Sequence, residues 1–293
     1  MVSESRSPLD RFVTLPDGRS LAYREHGDPH GVPVFVFHGI PGSRIQRHPD
    51  DEIARSLGAR VITVDRPGCG LSDPMPGRRI ADWPADVAFL ADAIGAARFR
   101  VIGWSGGGPY VAAVAHALPE RVERAMLVSS LAPIDAPGAT EGMIRLFRLG
   151  FALAYAAPWV LDASLPLWMR RLERDPERIV RHIVARATPE DRALLADPAL
   201  RTLFGQTLLD GGRQGRRGPS YELRLVARPW GVPLEEIRVP TIVWHGALDR
   251  TAPIGMGRWL AGTIPGATGR WFPRDSHFLA FTRWREVLGA VLE

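Results

Sequence analysis

The chain contains the run Arg100-Val101-Ile102-Gly103-Trp104-Ser105-Gly106-Gly107, a G-x-S-x-G pattern directly after an apolar, strand-like segment. A helical pattern begins near Gly107 and extends to Leu118. A serine on such a sharp strand-to-helix turn has a strained backbone, and small neighbours are needed because the chain passes close to itself there. The turn holds the hydroxyl clear of the sheet, and the following helix N-terminus favours negative charge nearby. We therefore predict that Ser105 is a nucleophile.

Short apolar runs and helix-like segments alternate on both sides of this turn. The apolar runs, each typical of a strand, are residues 34–37, 61–64, 100–103, 125–128, 240–244 and 270–272. Strands that are apolar throughout are buried on both faces, and crossovers between parallel strands are right-handed. The pattern therefore predicts an α/β protein with a mostly parallel, doubly wound sheet. Before it, residues 11–15 and 20–26 flank Pro16-Asp17-Gly18-Arg19 and predict a hairpin.

The strand pattern is interrupted between residues 136 and 232. This stretch has helix-like segments, such as residues 143–155 and 175–186, and no clear buried strand. We predict one core formed by residues 1–135 and 233–293, with residues 136–232 as a helical insertion. The insertion has 15 arginines against 10 acidic residues, whereas the remainder has 22 of each, so the net charge of +5 lies in the insertion. This uneven distribution, without a basic-aromatic platform, argues against a nucleic-acid partner.

The composition excludes several kinds of chemistry. All 37 basic residues are arginine, so the chain lacks the lysine of a P-loop, of a pyridoxal phosphate Schiff base and of a protein kinase. The single cysteine, Cys69, has no partner for a disulfide or a zinc site, and no histidine pair has metal-ligand spacing. The longest apolar run, residues 149–161, is too short to span a bilayer. We expect a cytoplasmic protein with no metal, no cofactor and no transmembrane segment.

A serine nucleophile needs a base, and the base needs an orienting carboxylate. With this kind of turn the chain order is serine, acid, histidine. The histidines after Ser105 are His116, His182, His245 and His277. We predict His277 as the base, because it lies in a loop after the last strand and is the only histidine downstream of Asp249. Asp249 follows the end of a buried strand, where a doubly wound sheet places its site, and is the predicted acid. Asp275 is the weaker alternative, since it would have to fold back onto its own neighbour.

The run His38-Gly39-Ile40-Pro41-Gly42-Ser43 directly follows the first buried strand. Backbone amides aimed at the developing oxyanion are usually the largest electrostatic contribution to acyl transfer. They come from the residue after the nucleophile and from the loop after this strand. We predict the amides of Gly106 and Ile40, the alternative being an ordinary Gly/Pro turn, and we predict a structural hydrogen bond for His38.

Together these motifs, with the loop Asp65-Arg66-Pro67-Gly68-Cys69-Gly70-Leu71-Ser72, resemble the α/β-hydrolase superfamily. The resemblance covers residues 1–135 and 233–293. It implies a triad of Ser105, His277 and Asp249, an oxyanion hole from Ile40 and Gly106, and a lid inserted after the sixth strand. The stretches 213–215 and 228–231 also resemble a bacterial, lid-containing subgroup of these hydrolases. Ser276 stands where a glycine usually precedes the histidine. The nucleophile is serine, not the aspartate of the related epoxide hydrolases and haloalkane dehalogenases.

The function expected from these features is that of a serine hydrolase acting on an ester, lactone or thioester with an apolar acyl or ring portion. Residues predicted to line an apolar pocket are Trp104, Phe147, Phe151, Tyr155, Trp159 and Trp168, although the aromatics of the insertion could instead pack it against the core. Two alternatives stay open. The same scaffold can act as a C–C bond hydrolase, lyase or cyclase, and it can also act as a ligand receptor with little turnover. The sequence gives no indication of the oligomeric state.

Overall fold

The computed structural model describes residues 7–214 and 218–293. These residues form an eight-stranded sheet with the strand order β1-β2-β4-β3-β5-β6-β7-β8. The strands are β1 (Arg11–Thr14), β2 (Ser20–Gly27), β3 (Val32–Phe37), β4 (Ala59–Val64), β5 (Phe99–Trp104), β6 (Val122–Val128), β7 (Thr241–Gly246) and β8 (Thr268–Phe272). β1 pairs with β2 and β2 pairs with β4 in antiparallel fashion. The remaining neighbours in the order β4-β3-β5-β6-β7-β8 are all parallel. The predicted α/β class and mostly parallel sheet are confirmed.

Helices cover both faces of the sheet. Those among the described residues are α1 (Asp51–Ser56), α2 (Trp83–Ala93), α3 (Gly108–Ala117), α4 (Arg145–Ala156), α5 (Pro158–Arg174), α6 (Pro176–Val184), α7 (Pro189–Leu194), α8 (Pro198–Gly211), α9 (Gly218–Ala227), α10 (Ile254–Thr263), α11 (Leu279–Thr282) and α12 (Trp284–Leu292). The end of α2 at Ala93 is set by the turn that follows it. Gly95 has φ +71°, and the Ala96 amide bonds to the Ala91 carbonyl at 2.7 Å, which is the Schellman arrangement that stops a helix.

The alternation of side chains along β3 shows why its sequence is apolar at every position. Val34 and Val36 pack on one face of the sheet, in a cluster with residues of α1 and α12. Phe35 and Phe37 pack on the other face, in a cluster with residues of α2 and α3. Successive side chains of a strand point to opposite faces, so a strand covered on both sides has no polar face.

Between β6 and β7 the described residues form the helices α4 to α9 and no strand. We call residues 136–232 the helical insertion. Within it, α5, α6 and α8 enclose a small apolar cluster of their own, formed by Met169, Leu172, Val180 and Leu208. The position agrees with the predicted insertion after the sixth strand, whereas its boundaries and its role as a lid stay predictions. Part of the subgroup-like stretch 213–215 lies outside the described residues. In the described chain, no helix is long and apolar enough to cross a membrane.

Candidate active site

Ser105 lies at the sharp turn between β5 and α3. Its φ of +55° is a left-handed conformation that side chains other than glycine rarely adopt, so the backbone is strained there as predicted for the turn. A Cβ on Gly103 would come within 2.6 Å of the Gly107 carbonyl oxygen, and one on Gly107 within 2.2 Å of the Phe37 carbonyl oxygen. Glycine is needed at both positions because the backbone of the turn lies too close to other backbone atoms, in the turn and at the end of β3, to leave room for a side chain.

The predicted nucleophile, base and acid lie in contact although they are far apart in the chain. His277 Nε2 is 3.1 Å from Ser105 Oγ, and His277 Nδ1 is 2.8 Å from Asp249 Oδ2. Ser105 follows β5, Asp249 follows β7 and His277 follows β8, so the carboxyl ends of the parallel strands bring them to one edge of the sheet. Asp275 instead bonds Thr282 and Arg283, at 3.2 and 3.0 Å. The arrangement is that of a serine, a base and an orienting carboxylate in a chain of hydrogen bonds.

The Asp249 carboxylate is fixed by the backbone of its own loop. Its Oδ1 accepts hydrogen bonds from the amides of Thr251 at 2.8 Å and Ala252 at 2.9 Å, which leaves Oδ2 facing His277. Burial by itself would raise the pKa of Asp249, but the charge of His277 and hydrogen bonds from His245 and His277 hold it at about 2. The carboxylate is therefore ionised at neutral pH.

The electrostatic environment favours the protonated form of His277. Burial alone would lower the pKa of the imidazole, but the neighbouring carboxylates of Asp249 and Asp191 raise it above its ordinary value. The ring also packs against Trp104, whose indole N–H donates to the His277 carbonyl at 2.8 Å. Asp191 belongs to α7 in the helical insertion, and sequence reasoning did not identify it.

The residues of the predicted oxyanion hole lie side by side. A Cβ on Gly106 would come within 2.5 Å of the Ile40 side chain, so the loop after β3 covers the residue that follows Ser105. Gly39, Ile40 and Ser105 all line the same cavity. His38 is buried, and its ring lies 2.9 Å from the Gly39 carbonyl, which agrees with its predicted structural role.

A cluster of buried charged side chains forms hydrogen bonds to the loop after β3. Arg66 donates to the carbonyls of His38 at 2.6 Å and Gly39 at 3.1 Å, and to the Glu222 carboxylate at 2.6 Å. Glu222, on α9 of the insertion, also pairs with Arg78 and is 2% exposed. Burial alone would raise the pKa of Glu222, but the two guanidinium groups hold it at about 2. This cluster, unforeseen from the sequence, ties the insertion to the core.

We expect the substitution Glu222→Gln to lower the free energy of unfolding by about 3–5 kcal/mol, since it leaves two buried arginines without their counter-charge. The measurement is urea unfolding at neutral pH. Glu177→Gln is the matched control, because Glu177 on α6 pairs with Arg181 on the exposed surface, and it should change stability little. Equal effects of the two substitutions would contradict the assignment of Glu222 to a buried structural ion pair.

A cavity of about 660 Å³ lies between the insertion and the ends of the strands and reaches Ser105 and His277. Four of the predicted pocket residues line it: Trp104, Phe147, Phe151 and Trp168. Apolar lining residues that the sequence analysis did not single out include Ile179, Ile183, Leu195, Phe204, Leu223 and Phe278. The lining is therefore apolar over most of its extent.

The structure corrects the prediction for Tyr155 and Trp159, which lie outside this lining and are 47% and 73% exposed. On α5 the positions that line the cavity are Leu161, Ser164, Leu165 and Trp168. They repeat every three or four residues, as one face of a helix does, and Trp159 lies off that face. Tyr155 lies in the last turn of α4, beyond Leu153, the last residue of this helix in the lining.

Comparison with known proteins agrees with this fold. The family described as the alpha/beta hydrolase fold matches residues 32–283. A non-heme chloroperoxidase from Streptomyces lividans is 40% identical over 124 residues, which cover 42% of this chain and 45% of that protein. The chain thus spans less than half of that relative. A pimeloyl-[acyl-carrier protein] methyl ester esterase from Chromobacterium violaceum is 29% identical over 90% of this chain and 94% of its own.

A solved structure has the same fold over almost the whole chain. It is a hydrolase from Pseudomonas aeruginosa PA01, which superposes with a TM-score of 0.72 at 24% sequence identity and covers 98% of both chains. At this level of identity the likeness concerns the fold alone. Function has to be argued from the side chains at the ends of the strands.

Proposed function

Because the chain belongs to the α/β-hydrolase family, we propose that it is a serine hydrolase that cleaves an ester, lactone or thioester through an acyl-enzyme. The observation that carries the proposal is the hydrogen-bonded chain from Ser105 Oγ to His277 Nε2, and from His277 Nδ1 to Asp249 Oδ2. A serine hydroxyl is a weak nucleophile by itself, and an adjacent base oriented by a carboxylate is what activates it.

In the proposed mechanism His277 Nε2 removes the Ser105 proton while Oγ attacks the carbonyl carbon of the substrate. The amides of Ile40 and Gly106 donate to the oxyanion of the tetrahedral intermediate. His277 then gives the proton to the departing oxygen or sulfur, whose bond to carbon breaks and leaves an acyl group on Ser105. A water molecule, with His277 as its base, then attacks the acyl carbon. The bond from this carbon to Ser105 Oγ breaks, and His277 returns the proton to Oγ. The carboxylic acid product is released. Asp249 holds the imidazole in place and stabilises the imidazolium that forms in each step.

The cavity favours a substrate with an apolar acyl or ring portion. Its walls are mostly leucine, isoleucine and aromatic side chains, many of them from the helical insertion. The polar lining residues include Ser164, His182 and Arg186 of the insertion as well as Ser105 and His277. Each buried methylene contributes about 0.8 kcal/mol of transfer free energy, so an apolar group of several carbons gains binding energy there. Helices of the insertion contribute residues to the lining of the cavity, which supports the proposed role of the insertion as a lid.

Labelling with a fluorophosphonate tests this proposal. The probe phosphonylates a serine, with loss of fluoride, only where a base activates the hydroxyl. We therefore expect stoichiometric modification of Ser105, located by peptide mass, with parallel loss of p-nitrophenyl butyrate hydrolysis. Ser56→Ala, a change at the exposed end of α1, should label like the wild type.

Absence of labelling at Ser105 would contradict the proposal and favour the ligand-receptor alternative. Labelling without turnover of any ester, lactone or thioester would favour C–C bond cleavage, lyase or cyclase chemistry on the same residues. The two alternatives are thus distinguished from the proposed function and from each other.

A further inference from the structure

The helical insertion contributes a second carboxylate to the loop that carries His277. Asp191, on α7, is buried and lines the cavity. Its Oδ2 accepts a hydrogen bond from Ser276 Oγ at 2.8 Å, and its Oδ1 accepts one from the Phe278 amide at 3.2 Å. The carboxylate therefore binds the residues immediately before and after His277 in the chain.

The hydroxyl of Ser276 connects this carboxylate to the start of α7. Besides donating to Asp191, it accepts a hydrogen bond from Thr188 Oγ1 at 2.9 Å. Thr188 is the N-cap of α7, and its Oγ1 also accepts from the Asp191 amide at 3.3 Å. A glycine at position 276 would have no hydroxyl and could form neither bond. The Ser276 side chain therefore joins the histidine loop to both Thr188 and Asp191 of the insertion.

We propose that Asp191 is a positioning residue for His277, which holds the histidine loop against the insertion and places a second negative charge beside the imidazolium formed during the reaction. The inference rests on the proposed function, in which His277 gains and loses a proton. Asp191 itself touches neither Ser105 nor the acyl group in this scheme and acts only through His277.

The groups that face His277 come from four parts of the fold. Asp249 approaches Nδ1 from the loop after β7, with His245 of β7 3.5 Å behind it. Ser105 approaches Nε2 from the end of β5, and the apolar rings of Trp104 and Phe278 pack on the imidazole. Asp191, on α7, bonds the residues on either side of His277. Both carboxylates raise the pKa of His277 against the effect of burial.

The state of Asp191 agrees with such a role. Burial raises its pKa, and the negative charge of Asp249 adds to that increase, whereas the charge of His277 and the hydrogen bonds from Ser276 and Phe278 oppose it. A positive charge on His277 reduces the repulsion between the two carboxylates. Both carboxylates therefore stabilise the imidazolium relative to its state without them.

The test is Asp191→Asn, which keeps the shape of the side chain and removes its charge. Loss of a negative charge lowers the pKa of His277, so the base becomes neutral at a lower pH. We expect the acid limb of kcat/KM for p-nitrophenyl butyrate to move to lower pH by about 0.5–1 unit. A ¹⁵N-histidine NMR titration should show the same shift of the His277 ring, with the resonance assigned by its loss in His277→Gln.

Glu190→Gln is the matched control, since it removes one charge from the adjacent position of the same helix and lies outside the cavity lining. It should leave both titrations unchanged. Ser276→Ala, which removes the hydroxyl and keeps the carboxylate, should shift them in the same direction as Asp191→Asn but by less. This variant also provides the test if Asp191→Asn does not fold.

A lower rate in Asp191→Asn with an unmoved acid limb and an unmoved His277 titration would overturn the inference and leave Asp191 a structural residue. An equal shift in Glu190→Gln would overturn it as well, because the effect would then come from net charge. The NMR titration needs no turnover. If the wild type hydrolyses no ester and Ser105 is not labelled, the proposed function fails while the effect of Asp191 on His277 can still be measured.

Discussion

The variant Ser105→Ala should hydrolyse p-nitrophenyl butyrate with a kcat lower by a factor of about 10⁶ than the wild type, because removal of the serine from such a triad costs about that much. Without Oγ, no group accepts the acyl portion, and His277 has no proton to remove from a nucleophile in contact with it. The remaining rate would come from the oxyanion amides and from substrate held near water.

The expected loss is specific to the reaction and does not extend to binding or folding. The Cβ stays, so we expect a Tm within a few degrees of the wild type and unchanged affinity for a non-hydrolysable ether analogue of the ester. A variant that retained more than about 1% of the wild-type kcat would show that Ser105 is not the nucleophile. The assay must use stopped-time product detection by mass, because the expected rate approaches that of the uncatalysed reaction.

Replacement of Asp249 by asparagine should lower kcat by a factor of about 10⁴, the magnitude seen when the acid of a triad becomes an amide. Asp249 Oδ1 accepts hydrogen bonds from the Thr251 and Ala252 amides. In the variant, the carbonyl of the asparagine side chain must keep these two bonds, so its NH₂ group faces His277 Nδ1. The imidazole then presents a lone pair at Nδ1 and carries its proton on Nε2, where it cannot take the proton of Ser105.

Asp275→Asn is the matched control for this experiment. Asp275 comes shortly before His277 in the sequence. Its carboxylate bonds Thr282 and Arg283 and not His277. We expect its conversion to asparagine to change kcat by no more than several-fold. A larger loss of kcat in Asp275→Asn than in Asp249→Asn would show that Asp275 is the acid, and it would refute the proposed triad.

The parts of the molecule that could be predicted from sequence are those whose signal is local. The strands can be recognised because each is a short apolar run. The sharp turn at Ser105 can be recognised because a serine between glycines follows one of these runs. Chain order then leaves His277 and Asp249 as partners for Ser105, and the structure brings these three together. Each step needs only the residue types in a short stretch and the rule that parallel strands end at one edge.

The contributions of the insertion could not be predicted, because they depend on which residues meet across long sequence separations. Asp191 and Glu222 lie in helices of the insertion, and carboxylates are mostly exposed in proteins. Neither has a neighbouring residue in the sequence that marks it as buried. The error for Trp159 has a different cause. The helical phase of residues 161, 164, 165 and 168 is visible in the sequence and places Trp159 off the cavity face, so periodicity along α5 would have excluded it.

The attachment of α9 to the core has a consequence for the design of chimeras. Here an exchange of residues 136–232 would remove Glu222 from Arg66 and Arg78, and Asp210 from the buried Arg44. An insertion taken from a relative must therefore supply carboxylates in place of Glu222 and Asp210, or the three arginines must be replaced as well. The helices that line the cavity and the residues that anchor the loop after β3 are, for this chain, one exchangeable unit.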